Sequence, residues 1–289
     1  MGYLHIDNLY KDQTILIFKE CYALEKIHGT SAHLSWNCKE KKVKYFSGGE
    51  SNERFVKVFD NDFLISKFSE LFIDSNAVVY GEAYGGKQQG MSNTYGKELK
   101  FVAFDVSVND LWLEVPKAEN VCNALNIEFV DYVKVSTDLE ALNAERDKPS
   151  TQAKRNGIAD DKIREGVVLR PLIEFIMKNG SRVIAKHKRD EFKETKTPRE
   201  VSPEQFKILE DAKSIAEEWV TEMRLKHVLD KLPQGINVES TKMVIEAMVE
   251  DVYREAKGEI VESKDVTKFI GSRAAQLFKQ KLKSQLSNN

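Results

Sequence analysis

The chain has 289 residues, of which 41% are hydrophobic and 31% charged, the composition of a soluble globular protein slightly rich in charge. Its 44 Lys and Arg against 46 Asp and Glu leave a net charge of −2, so no overall positive field draws it to nucleic acid and any polyanion site must be a local patch. No apolar run approaches the roughly 20 residues a membrane-spanning helix needs, no basic-then-apolar leader opens the chain, and Ile6 stands where a myristoylation signal would carry Ser or Thr.

From the start to about Phe192, short runs rich in Val, Ile, Phe and Tyr predict strands at Ile15–Phe18, His33–Asn37, Lys42–Phe46, Ala77–Tyr80, Phe101–Val106, Val167–Arg170 and Arg182–Lys186. Gly48-Gly49, Gly85-Gly86 and Asn179-Gly180 punctuate them, the last as a hairpin turn. Helical patterns fall at Asp62–Phe72 and Lys117–Leu125. Tyr84–Tyr95 reads as a mobile loop or a plain hairpin connection, and the polar stretch Ala141–Arg164 as a helix-and-loop insertion. The apolar pattern gives way at Lys193–Pro203, which predicts a domain boundary and domains of 1–196 and 197–289. Beyond it, Ser202-Pro203 followed by Gln205 resembles a helix-opening capping box. Three amphipathic helices are predicted by stripes running from Phe206 and Leu209 to Trp219, Val220 and Met223, from Met243 to Val252, and from Val266 to Phe278. The expected fold class is α+β, a mixed, largely antiparallel domain followed by a small all-helical C-terminal domain. Cys21, Cys38 and Cys122, widely spaced and without a C-x-x-C pair, point away from a disulfide framework and toward a reducing cytosol.

Glu25-Lys26-Ile27-His28-Gly29-Thr30 sets a lysine after a strand and three residues before a glycine turn. An amine is a nucleophile only when neutral, and burial or neighbouring cations favour that form. Alone, the pattern is more often a surface lysine beside a turn. Four further patterns follow in order. Tyr80-Gly81-Glu82-Ala83-Tyr84-Gly85-Gly86 ends a strand with a carboxylate between glycines, and Phe101-Val102-Ala103-Phe104-Asp105-Val106 is an aromatic strand. Arg164-Glu165-Gly166-Val167-Val168-Leu169-Arg170-Pro171 enters a strand with a glutamate. Val183-Ile184-Ala185-Lys186-His187-Lys188 carries two lysines two residues apart, which share a strand face.

Together these motifs, covering about Ala23 to Lys188, resemble the covalent nucleotidyltransferase superfamily of ATP-dependent ligases and RNA-capping enzymes. Within it the chain resembles the nick-sealing RNA ligases of the RNA ligase 2 type, found in phages and in RNA-editing and repair systems. The K-x-H-G-T form and a helical region where DNA ligases and capping enzymes carry an OB-fold support this. The resemblance implies an ATP-grasp-like nucleotidyltransferase domain in which Lys26 attacks the α-phosphate of ATP to form lysyl-AMP. Glu25 and the backbone around Ile27 would hold adenine, Phe104 would stack on it, and Glu82 would bind the ribose. Ser31 stands where relatives often have Asn. Glu165 would bind Mg²⁺, or Mn²⁺ in its place, and Lys186 and Lys188 would grip the α-phosphate. His28 would handle the transferred group or the RNA. AMP would then pass to a 5′-phosphate RNA end, and a 3′-hydroxyl, at a nick in a duplex, would displace it. The expected setting is the cytoplasm of a bacterial or phage-infected cell, with no membrane partner.

The usual arginine shortly after the nucleophile is missing from Lys44-Tyr45-Phe46-Ser47-Gly48-Gly49, leaving Lys44 or Arg54 as substitutes. Asp105 reads equally as structural or as part of the site, and His33 and His187 read as structural. Lys178–Arg199, with eight Lys and Arg against three Asp and Glu, reads as a track for the RNA backbone. From residue 201 on, 14 basic residues meet 15 acidic ones, which is no basic signature. Two other readings stay open: a DNA ligase or capping guanylyltransferase, and a catalytically idle RNA-end-binding module.

Overall fold

The computed structural model describes residues 2–158, 161–177, 180–192, 212–233 and 236–287. Its strands are β1 (Glu20–Lys26), β2 (Thr30–Asn37), β3 (Lys42–Phe46), β4 (Ala77–Gly85), β5 (Leu99–Val108), β6 (Leu111–Trp112), β7 (Tyr132–Ser136), β8 (Gly166–Pro171) and β9 (Ala185–Lys188). They pair antiparallel in two sheets, β7-β1-β8-β9 and β3-β2-β4-β5-β6. Helices α1 (Asn52–Val56), α2 (Asn61–Leu71), α3 (Ser92–Tyr95), α4 (Val115–Ala124), α5 (Leu139–Arg146) and α6 (Thr151–Arg155) accompany them. All belong to a first compact unit, Met1–Arg189; a second spans Asp190–Asn289. The mixed α+β class with antiparallel sheets is as expected.

The five-stranded sheet owes its two unlike faces to alternation. Ala32, Leu34 and Trp36 on β2 and Ala77, Val79 and Ala83 on β4 are buried, in one core with Phe55 of α1, Leu64 and Phe68 of α2, and Ala118 and Cys122 of α4. Trp36 stacks on Phe68 at 5.6 Å and donates its indole N–H to the Phe72 carbonyl. Each such buried ring contributes about 1.5–3 kcal/mol, whereas exposed pairs such as Lys57–Glu53 contribute below about 1 kcal/mol. Apolar packing therefore holds this unit together. At the β4–β5 pairing the register shifts, with Tyr80 opposite Asp105 but Gly81 opposite Ala103. Phe104 is the extra residue, and such a bulge re-aims a side chain: its ring meets Tyr3 edge-on at 4.8 Å.

Several expectations are corrected. Ile15–Phe18 is not a strand; Thr14–Ile17 forms a 3-10 turn, and the strand leading into Lys26 is β1. Tyr84–Tyr95 is packed rather than loose, with Tyr84, Gln88, Gln89 and Tyr95 all buried. The run at Arg182 joins only by a bridge to Ile176, the strand proper being β9.

In the second unit the described helices are α7 (Ala212–Trp219), α8 (Glu222–Asp230), α9 (Thr241–Glu255) and α10 (Lys264–Ser287). The helix expected to run through Met223 breaks at Val220-Thr221, where the Thr221 hydroxyl accepts from the Arg224 N–H and starts α8. Ile215, Trp219, Val228, Val244, Met248, Val252, Ile270 and Phe278 are buried together, so these stripes are core. The 196/197 boundary, the Ser202–Gln205 cap, Phe206 and Leu209 lie outside the described residues. No described helix is long and apolar enough to cross a membrane.

Gly166 opens β8 at φ +151°, and a Cβ there would lie 2.2 Å from the His187 carbonyl oxygen. Gly166→Ala is expected to destabilise the chain by about 2–4 kcal/mol, read as a lower urea midpoint. An unchanged midpoint would show that β9 can move aside.

Candidate active site

Lys26 ends β1 opposite Gly166, and Gly166 lies opposite Lys188 of β9. Residues paired across antiparallel strands share a face, so Lys26 and Lys188 project from the same side of the sheet across a position with no side chain. Lys186 and Val168, paired one step back, share that face. Glu165 precedes the glycine and fills the gap. Its Oε2 accepts from Lys26 Nζ at 3.1 Å and lies 2.9 Å from His28 Nδ1, while Oε1 lies 2.9 Å from Lys188 Nζ. The Glu165 side chain is 1% exposed and that of Lys26 23%, so the carboxylate is interior and the amine still reaches solvent. Burial alone would push the Glu165 carboxyl up, but Lys188, Lys26 and His28 together hold it well below the usual carboxylate range.

The second sheet supplies the other wall. A Cβ on Gly29 would sit 2.4 Å from the Ala83 carbonyl oxygen, so glycine lets the turn after Lys26 close onto β4. There the Gly29 N–H donates to Glu82 Oε1 at 3.1 Å. Glu82 keeps part of its surface open, yet its carboxyl lies deep among protein atoms. Burial raises its pKa to about 7, Lys26 opposes the shift and the Glu165 charge adds to it. Ser31 pairs with Glu82 across the strands, and its buried Oγ has no hydrogen-bond partner among the described residues. The buried Tyr95 hydroxyl accepts from the His28 N–H at 3.3 Å and props the turn from behind.

Lys26, His28, Glu82, Glu165 and Lys188 are thus brought together, with Ser31 and Lys186 beside them and Phe104 on the bulge. Glu25 and Ile27 point elsewhere. The Ile27 side chain is in the main core, leaving only its backbone to face a ligand. The Glu25 carboxylate lies on the opposite sheet face, where it accepts from Ser150 Oγ (2.5 Å), Thr151 N–H (2.9 Å) and Gln152 N–H (3.1 Å) at the start of α6. This differs from the expected adenine contact and makes the side chain a clasp behind the nucleophile. Pro149-Ser150, an N-cap signature, was the sequence clue to that clasp.

Asp105 is fully buried and accepts from Tyr3 Oη (2.6 Å), Arg170 Nη1 (2.9 Å) and Arg182 Nη1 (2.7 Å), an anchor between the N-terminal segment, β5 and β8. Arg182 is therefore spent internally and is not on a basic track; Lys178, Lys193, Lys196 and Arg199 of that run lie outside the described residues. Of the substitutes for the missing arginine, Arg54 is paired with Glu50 at 3.2 Å and Lys44 with Glu40 at 3.4 Å. His187 lies off the site, 2.8 Å from Asn143 Oδ1.

A pocket that gathers lysines around one ionised carboxylate, with an unsatisfied hydroxyl and a second carboxyl opposite, is suited to a polyphosphate and the hydroxyls of its sugar. Among curated proteins none matches the chain. Solved structures do: a mutant of Naegleria gruberi RNA ligase with ATP and Mn (TM-score 0.50, 16% identity, covering 66% of this chain and 57% of that one), and a second mutant of the same protein with ATP and Mn (TM-score 0.51, 16% identity, 66% and 56%). At that identity the likeness is one of fold, and the chain matches little more than half the length of these structures. The model of the family described as RNA ligase matches residues 19–188, more than half of the chain and all of the residues gathered around Glu165, and the chain belongs to the RNA ligase family.

Proposed function

We propose that the chain is an ATP-dependent RNA ligase that works through a lysyl-AMP intermediate. The observation that carries this reading is the Glu165 carboxylate shared by Lys26, His28 and Lys188. Lys26 Nζ attacks the α-phosphorus of ATP; the new N–P bond forms as the bond to the β-phosphate oxygen breaks and pyrophosphate leaves. The amine must first lose a proton, which passes to the solvent that its part-exposed side chain still reaches. Lys188 and His28 compete with it for the same carboxylate, so Lys26 is not held as that anion's only counter-ion. Lys186 and Lys188 stabilise the charge that develops on the transferring phosphoryl group, in a site already partly dry. Glu82 and Ser31 bind the ribose side, Phe104 offers a flat face to the adenine, and the backbone at Glu25 and Ile27 borders it.

Among the described residues no three His, Cys, Asp or Glu side chains converge into a metal cage. Glu165 offers one ionised carboxylate, which suits a Mg²⁺ or Mn²⁺ ion that keeps most of its water and takes other oxygens from substrate phosphates. Such an ion would neutralise phosphate charge there. The two later transfers, to a 5′-phosphate RNA end and then to a 3′-hydroxyl at a nick, use the same lysines, with His28 serving the steps on RNA. The C-terminal part of the chain, whose described helices begin at Ala212, serves RNA rather than self-adenylylation. We place the reaction in the cytoplasm, with RNA and no membrane as partner.

Incubation with α-labelled ATP and Mg²⁺, followed by denaturing electrophoresis, tests this. Wild type takes the label, Lys26→Ala takes none, and Lys188→Ala is slower by about 10²–10³-fold. Labelling from GTP instead would indicate a capping enzyme, and none from either, after pyrophosphate has stripped bound AMP, an idle RNA-binding module.

The carboxyl of Glu82 gives a second check. Its folded-state pKa of about 7 lies above the ordinary 4.5, so its favourable contribution to stability is complete below about pH 4.5 and is lost as pH rises through 7. Glu82→Gln and wild type are expected to melt alike at pH 4, and the variant a few degrees higher at pH 8. A variant no more stable at pH 8 would mean that Glu82 ionises without penalty.

A further inference from the structure

The face of the five-stranded sheet opposite its helices carries a row of rings that the nucleotide chemistry does not use. Phe46 on β3, His33 on β2, Tyr80 on β4 and Trp112 on β6 lie side by side across the sheet. His33 stacks on Phe46 at 4.9 Å with 18° between planes, Tyr80 lies 5.4 Å from His33, and Trp112 5.3 Å from Tyr80. Tyr3, edge-on to Tyr80 at 5.1 Å and to Trp112 at 5.6 Å, and Arg182 over the Trp112 ring cover that end of the row. Phe46 is 37% exposed and stands on the edge strand, so the end of the stack is open. Burial lowers the His33 pKa to about 4, which keeps that ring uncharged at neutral pH. Lys42 and Lys44 follow Phe46 on the same face at two-residue spacing, both exposed. Residues 39–44 contain four lysines and one glutamate in a chain of net charge −2. The Lys44–Glu40 pair is exposed on both sides and worth little, so a phosphate can replace the glutamate. The row joins the active site directly: His33 is two residues from Ser31, and Tyr80 two from Glu82.

We propose that the exposed edge of this face, Lys42, Lys44 and Phe46 backed by His33, docks an unpaired stretch of the RNA whose end is joined at Lys26. Bases stack on Phe46 as the outer plate of the row, and the two lysines take the phosphates that follow. Aromatic rings on a sheet suit unpaired bases, which expose their faces, and not the interior of a continuous duplex. Local lysines supply the polyanion attraction that the whole chain lacks. The inference rests on the RNA-ligase reading but departs from a fully paired nick: the RNA it favours has unpaired nucleotides next to the joined end.

The test uses the full chain and two fluorescently labelled RNAs with hydroxyls at both ends, one unstructured single strand and one blunt duplex. Binding is read by anisotropy at several salt concentrations, and each variant is also assayed for label uptake from ATP. Phe46→Ala is expected to weaken single-strand binding about tenfold, with Phe46→Tyr near wild type and duplex binding unchanged. Lys42→Ala combined with Lys44→Ala, a purely surface change, is expected to flatten the salt dependence by about 1.4 in log–log slope. All variants should keep wild-type labelling. Labelled variants that bind the single strand as wild type does would overturn the platform and leave the ligase reading standing. Equal losses for both RNAs would overturn the stacking role. A wild type that takes no label would remove the reading on which the proposal rests.

Discussion

One buried carboxylate organises the first unit. Taking an anion the size of Glu165's side chain out of water costs several kcal/mol unless partners surround it, and here Lys26 and His28 at the end of β1 and Lys188 on β9 do so. The arrangement depends on register: Lys26, Gly166 and Lys188 stand in line across β1, β8 and β9, and only a glycine in the middle lets β9 approach this closely, its His187 carbonyl oxygen lying 2.2 Å from where a Cβ would be. The cluster carries more potential positive charge than negative. It is stable as it stands, and it is still short of anions.

Glu82 has the opposite environment. It lies close enough to Glu165 to feel its charge, has one backbone N–H as its recorded direct partner, and is pushed up toward neutrality while Glu165 is pushed down. Two carboxyls in one pocket thus have different jobs open to them, one a lasting anion and the other a group that gives or accepts hydrogen bonds near neutral pH. Groups behind the pocket hold this contrast in place. Glu25 ties β1 to α6, Tyr95 backs the His28 turn, and Asp105 joins Tyr3, Arg170 and Arg182 beneath the Phe104 bulge.

What could be read in the sequence follows from how local each signal is. The nucleophile motif, the glutamates and the paired lysines were legible because each sits at the end of a short run with its own turn residues. The strand carrying Lys26 was not: β1 buries Cys21, Ala23, Leu24 and Glu25, so both of its faces are covered and the alternation that marks a half-exposed strand is missing. β7 was missed as a short run amid polar text. The break at Thr221 was hidden because the apolar spacing continues across it, while a single side-chain cap starts a new helix. The Glu25 clasp and the Asp105 anchor join residues more than sixty positions apart; Ser150 marks the start of α6 locally, but no local pattern names its distant partner.

The charge pattern of the whole chain now has a physical reading. With a net charge of −2 and balanced charge beyond residue 201, RNA cannot be held by a long-range field. At physiological salt a surface charge is felt over only about 8 Å. Along β2, Ser31 at the pocket and Asn37 opposite Lys42 are six residues apart, about 20 Å. The lysines of the β2–β3 hairpin and those around Glu165 therefore act on different phosphates and hardly sense each other. The rings of His33 and Tyr80 are what connect the two clusters, and they do so through contact rather than charge. Strand position on the open face of one sheet, more than total basicity, is how a slightly acidic protein can present two separate anion sites to one polymer.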